Sequence, residues 1–140
     1  MTLVFGQPGT AAAEFQLCVN SWRPFSEVLA SLQEAIDQAG MKVLQEIDPQ
    51  GALRSIGQTI GGARLLFFFH PKLLARLLEI DSSAIVEVPL KLPVMEMLDG
   101  SVSIRAASPV IALERYGNPT LADFGQELSE ACDRIMHAAT

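Results

Sequence analysis

The sequence predicts an α+β domain, on three observations. An unbroken apolar run, Leu65-Leu66-Phe67-Phe68-Phe69, stops at His70-Pro71-Lys72, which is the pattern of a buried strand feeding a helix. Upstream, Phe15, Leu17 and Val19 alternate with Gln16, Cys18 and Asn20, and then give way to apolar residues at helical spacing. Downstream, a second alternating segment runs into Asp99-Gly100, a hairpin signal. The resulting element order is β-α-β-α-β-α-β-β-α.

Taken in order, residues 1–13 form a flexible lead-in, because Gly6, Pro8 and Gly9 interrupt any period, and residues 14–140 form a single domain. The alternation over 14–20 is a half-buried strand. Ser26 is the predicted N-cap of a helix to Ala39, with Val28, Leu29, Leu32, Ala35 and Ile36 on one face and Gly40 as its stop. A strand over 41–47 follows, turned by Asp48-Pro49 into a short helix that Gly57 ends. Gly61-Gly62 then opens the apolar strand 63–69, whose lack of alternation implies burial on both faces or a central place in the sheet.

Pro71 suits the first position of a helix through Leu78, where its missing N–H is not needed. Residues 85–98 alternate and read as extended, with Pro89 and Pro93 each removing a ladder donor, which argues for an edge or a bulge. A two-residue turn at Asp99-Gly100 pairs Glu96 with Ser103 and Val94 with Arg105, and brings Glu96 diagonally within reach of Arg105. A short helical piece spans 111–116. Thr120 is the predicted cap of the last helix, whose stripe is Leu121, Phe124, Leu128, Ala131, Cys132 and Ile135.

At 140 residues, with 49% apolar and 19% charged, the chain has enough core-forming material for one globular domain and too little charge density for disorder. No apolar run approaches the roughly 20 residues that span a bilayer. Residues 1–5 lack a basic flank, and Gln7-Pro8-Gly9 breaks the run, so neither signal peptide nor membrane contact is expected and the expected location is the cytoplasm. Cys18 and Cys132 have no close thiol or metal-type spacing and read as unpaired. Between Arg64 and Arg105 five cations balance five carboxylates, so the net charge of −6 lies wholly outside that segment. An acidic chain without a basic run is a poor nucleic-acid binder, because phosphate neutralisation supplies most of that affinity. A small anion at a locally neutral spot is compatible with it.

Gly40-Met41-Lys42-Val43, Ile47-Asp48, Phe69-His70-Pro71-Lys72, Val88-Pro89-Leu90-Lys91 and the Asp99-Gly100 turn, in that order, resemble the domain of unknown function family 302 over roughly residues 14–117. The resemblance implies a curved, mainly antiparallel single-layer sheet of about five strands with helices on one face, a tendency to form homodimers, and no established activity. The chain departs from the family pattern at Pro49, His70 and Glu87-Val88, where a His, an Asn and an Asp are usual, so a site resting on that His does not carry over.

Two groups could carry chemistry. At the corner His70-Pro71-Lys72, a helix start offers free N–H groups and Lys72 adds a full charge, which suits an anion. Lys91, Glu96 and Arg105 form the second group, gathered by the hairpin. His70, His137, Met95 and Met97 lack ligand spacing for a metal or haem, with the methionines expected beside Val102 and Ile104, so no cofactor is expected. No nucleophile sits beside a base in sequence. Three functional readings follow. The first is a dimeric small-ligand module whose anion contacts His70 and Lys72. The second is an enzyme using His70 with Glu87 or Glu96, its catalytic residues otherwise unknown. The third is a dimerisation or interaction domain built on the strand around Pro89–Val94 or the first helix.

Overall fold

The strand-to-helix corner at His70 is the pivot of the computed structural model, which describes residues 2–140. Strand β3 (Ala63–Phe69) runs into helix α3 (Pro71–Ile80), with Pro71 at its first position. The other strands are β1 (Gln16–Ser21), β2 (Lys42–Ile47), β4 (Leu90–Glu96) and β5 (Val102–Ala107). The other helices are α1 (Phe25–Gln38), α2 (Pro49–Arg54), α4 (Pro109–Glu114) and α5 (Pro119–His137). The five strands make one sheet in the order β1-β5-β4-β3-β2, with every neighbouring pair antiparallel. The α+β class and the antiparallel sheet predicted above are therefore what the chain adopts. No described helix is long and apolar enough to cross a membrane.

Alternation divides the sheet into two faces. Leu66 and Phe68 of β3, Leu92 and Val94 of β4, and Val102 and Ile104 of β5 form one core with Val28, Leu32 and Ile36 of α1 and Cys132, Ile135 and Met136 of α5. Burying each such aliphatic or aromatic side chain contributes about 1.5–3 kcal/mol. A second cluster, under α3, α4 and the first half of α5, gathers Phe69, Leu77, Leu113, Leu121 and Phe124 at the far end of β3. The opposite face carries Leu65 and Phe67 across from Pro93 and Lys91, then Met95, Ser103, Arg105 and Cys18. Leu65 and Phe67 are only half-buried, so the apolar run reflects an interior strand and not cover on both sides.

Several local expectations are corrected. Helix α1 starts at Phe25, one residue before the predicted cap Ser26, because the Pro24 carbonyl already takes the N–H groups of Glu27 and Val28. Its end is as predicted: Gly40, at φ +77°, lets Met41 N–H return to the Ile36 carbonyl. The last helix is capped by Asn118 instead of Thr120, since Asn118 Oδ1 accepts from the N–H groups of Thr120 and Leu121 and Pro119 follows at the first position. Residues 85–87, expected to begin the extended segment, instead end a 3-10 helix, Ser82–Glu87, capped by Asp81. Residues 2–13, expected as a lead-in, bond to the body through Leu3 N–H to Thr59 O and Leu98 N–H to Phe5 O, with a 3-10 turn at Thr10–Glu14.

The largest correction concerns the hairpin. Val94 pairs with Ile104, Met95 with Ser103 and Glu96 with Val102, one residue out from the expected register. Asp99-Gly100 belongs to a three-residue loop: Gly100 N–H bonds Met97 O, Met97 N–H bonds Ser101 O, and Gly100 sits at φ +89° while among the described residues no other residue type has positive φ. That is a turn followed by a left-handed glycine, and the expected two-residue turn would need positive φ at Asp99 as well. Asp99 favours it by accepting from both the N–H (2.9 Å) and the Oγ (2.6 Å) of Ser101. A one-residue slip moves side chains to the other face. Glu96 therefore joins Val94 and Val102, Arg105 joins Met95, and the expected Glu96–Arg105 pair does not form. Met95 likewise faces away from Val102 and Ile104.

Candidate functional site: the break between β4 and β5

The ladder between β4 and β5 stops at Val94–Ile104, although both strands continue. Backbone alternation explains why. Glu96 N–H bonds Gly62 O on the β3 side and Met97 N–H bonds Ser101 O on the β5 side, so odd-numbered β4 residues direct their N–H toward β5. Pro93 is the next such position and has no N–H to give. The Arg105 carbonyl loses its donor, and Lys91 and Ala107, which the register would bring opposite one another, are not paired. β4 is interior by strand order, so the edge expected around Pro89–Val94 is not a free edge of the sheet; the missing donor instead leaves a break on one side.

Cavities flank this break, and Lys91, Ala106 and Ala107 line both. On the open face, a cavity of about 320 Å³ is lined by Lys91, Pro93, Met95 and Arg105 with Phe15 and Gln16. On the helix side, one of about 260 Å³ lies among Leu77, Val88, Leu90, Leu113, Leu128 and Cys132, with Lys91, Glu87 and Arg115 among its polar lining residues. Arg105 Nε donates to Ser103 Oγ at 3.0 Å, and Ser103 Oγ also lies 3.7 Å from Cys18 Sγ. The hydroxyl thereby fixes the guanidinium along the sheet.

Arg23, Arg64, Arg76 and Arg115 each have a carboxylate within 4 Å. Among the described residues Lys42, Arg54, Lys72, Lys91, Arg105 and Arg134 have none, and of these Lys91 and Arg105 line the same cavity. A guanidinium offers a planar fork for a carboxylate or an oxyanion, and a lysine adds a mobile point charge. The arrangement suits holding an anion. No described cluster of three or more His, Cys, Asp or Glu could hold a metal.

The remaining predicted residues are dispersed. His70 Nδ1 accepts from Lys72 N–H at 2.9 Å and so caps α3. Its ring lines two further cavities, one with Phe69, Leu74 and Val88 and one with Asp37, Lys42 and Leu44, whereas Lys72 lines none of the cavities described here. Neither carboxylate weighed as its catalytic partner is bonded to it. Glu87 is bound to Arg115 at 2.7 Å, and Glu96 Oε1 accepts from Gly62 N–H at 2.7 Å. The sequence named Lys91 and Arg105 as candidates and did not name Ser103, Ala107 or the helix-side cavity among them; Pro93 was the available signal for the break.

The family model described as "Domain of unknown function DUF302" matches residues 17–139. Among solved structures, the chain is similar to an uncharacterized conserved protein DUF302 from Bacillus stearothermophilus, at 20% identity and a TM-score of 0.83 over 90% of this chain and 98% of that one. At that identity the likeness shows a shared fold. No curated protein matches the chain.

Proposed function

The chain belongs to the DUF302 family, a domain of unknown function, and from its own geometry we propose that it is a small-ligand-binding module that holds an anion at the break between β4 and β5. One observation carries this reading: Lys91 and Arg105, without carboxylate partners among the described residues, line one cavity. Burying a cation unpaired is unfavourable, so a half-buried arginine gains from an anion that desolvates beside it. Isothermal titration with phosphate, thiosulfate and carboxylates tests it. Binding that weakens at least about tenfold in Arg105→Gln and in Lys91→Gln, and weakens with salt, supports the reading. Absence of heat with the whole panel removes it.

Self-association is a second reading, favoured by the difference between the two edge strands. β2 is blunted by a bulge at Val43/Gln45 and by Lys42 and Glu46. β1 carries no charge, proline or bulge, and is flanked by Phe15, 49% exposed, and Trp22, 76% exposed. A second copy adding its β1 antiparallel to this one would pair those backbone groups. Sedimentation across a concentration series measures it, and a monomer at every concentration rules it out.

A further inference from the structure

His70 stands at the wall shared by two cavities that the anion site does not use. Lys72 N–H donates to its Nδ1 at 2.9 Å, so Nδ1 carries a lone pair and the proton of the neutral ring sits on Nε2. With Nδ1 tied to the start of α3, the Nε2 edge of the ring is turned away from the helix, and among the described residues no acceptor takes that N–H. The first cavity, of about 370 Å³, is apolar apart from His70: Phe69, Leu74, Val88 and Pro89 line it, with Leu44, 61% exposed, and Ile85, 50% exposed, beside them. The second, of about 430 Å³, shares Leu44, Phe69, His70 and Pro71 with the first. It adds one charge of each sign, Asp37 and Lys42, the latter opposite Phe69 in the ladder and so on the same face. An ion entering the first cavity would lose its hydration against a wall that holds no opposite charge. A guest with no hydrogen-bond acceptor would leave the Nε2 proton without a partner once water is displaced, which weakens binding. A neutral apolar molecule with one carbonyl oxygen meets both conditions. At roughly 30 Å³ per heavy atom, the share a water molecule takes in the liquid, about 370 Å³ accommodates about twelve heavy atoms.

We propose that the first cavity binds a neutral aryl ketone of about this size, its ring against Phe69, Leu74 and Val88 and its carbonyl oxygen accepting from His70 Nε2–H. Neither Lys91 nor Arg105 takes part, so this site is independent of the anion site. The probe is α-tetralone; tetralin, which lacks the oxygen, and a tetralin carboxylate, which carries a charge, are its controls. Wild-type protein should bind α-tetralone at least about fivefold more tightly than either control, with methyl NMR shifts at Leu44, Leu74 and Val88. His70→Asn keeps an acceptor for the Lys72 N–H, because asparagine is a preferred N-cap, and puts no donor where Nε2 stood. In that variant α-tetralone should fall to the affinity of tetralin, while tetralin keeps its own. No binding of α-tetralone, equal binding of α-tetralone and tetralin, or tighter binding of the carboxylate by the wild type would each overturn the proposal without any variant. Shifts confined to residues outside this cavity, or an unchanged preference for the ketone in folded His70→Asn, would overturn it equally.

Discussion

Replacing Pro93 with valine tests the origin of the break. Residue 93 directs its N–H position at the Arg105 carbonyl, so valine supplies the donor that proline lacks. One restored backbone hydrogen bond contributes about 0.5–1.5 kcal/mol net. Releasing the unfolded chain from a proline costs about 0.4–1 kcal/mol. The two nearly cancel, so urea unfolding should shift by less than about 1 kcal/mol in either direction. The informative quantity is local. Hydrogen exchange should show the new amide at position 93 protected to a degree similar to Met95, with the Ala107 amide slowed as Lys91 and Ala107 close on one another. Anion affinity should fall as the cavities narrow. If that amide exchanges like a solvent-exposed one in an otherwise intact fold, proline is not what ends the ladder and the derivation of the site fails.

Three more outcomes can be checked. Phe68→Ala should cost about 3–5 kcal/mol on unfolding, because Phe68 is fully buried between the sheet and its helices, whereas Phe67→Ala, on the half-buried opposite face, should cost clearly less; equal losses would contradict the assignment of faces. Burial first, and then Asp133, raise the Cys132 thiol from 9.0 to about 12, so its contribution is complete below pH 9 and is lost as pH rises through about 12. The stability difference between wild type and Cys132→Ala should therefore be flat below pH 9 and shrink above it by up to roughly 4 kcal/mol, and a difference that stays flat to pH 12 refutes this. Hydrogen bonds from the Ser101 hydroxyl and N–H hold the Asp99 carboxyl below its usual range, so its contribution is present at neutral pH and lost as pH falls through that depressed value; Asp99→Asn should flatten the acid limb of a stability profile, and an unchanged limb would exclude it.

What the sequence disclosed follows the physics of each signal. The spacing of Val28, Leu32 and Ile36 admits one buried helix face, and the run Leu65–Phe69 ending at a proline admits few alternatives to an interior strand. Asp99-Gly100 is different, because the same dipeptide fits two loops whose registers differ by one residue. The choice is made by Ser101, whose N–H and hydroxyl draw the Asp99 carboxylate back and leave only the glycine at positive φ. Pro93 announced a missing donor without saying on which side. It reads as an edge in isolation and becomes a local break only once β5 is known to lie beside it. Lys91 and Arg105 were visible as cations, but their sharing of one cavity depends on that register, as does the separation of Arg105 from Glu96.

The backbone bonds of the first residues have a practical consequence. Leu3 is tied to Thr59 and Phe5 to Leu98, and at the other terminus the Ala139 carbonyl accepts from Ser21 Oγ. Both termini are thus anchored at the hairpin end of the sheet. Lys91 lies seven positions along from Leu98, about 23 Å at the rise of an extended strand. A surface tether, fluorophore or fusion partner attached at either terminus would leave the Lys91 end free, which suits immobilised formats for screening small molecules against this domain.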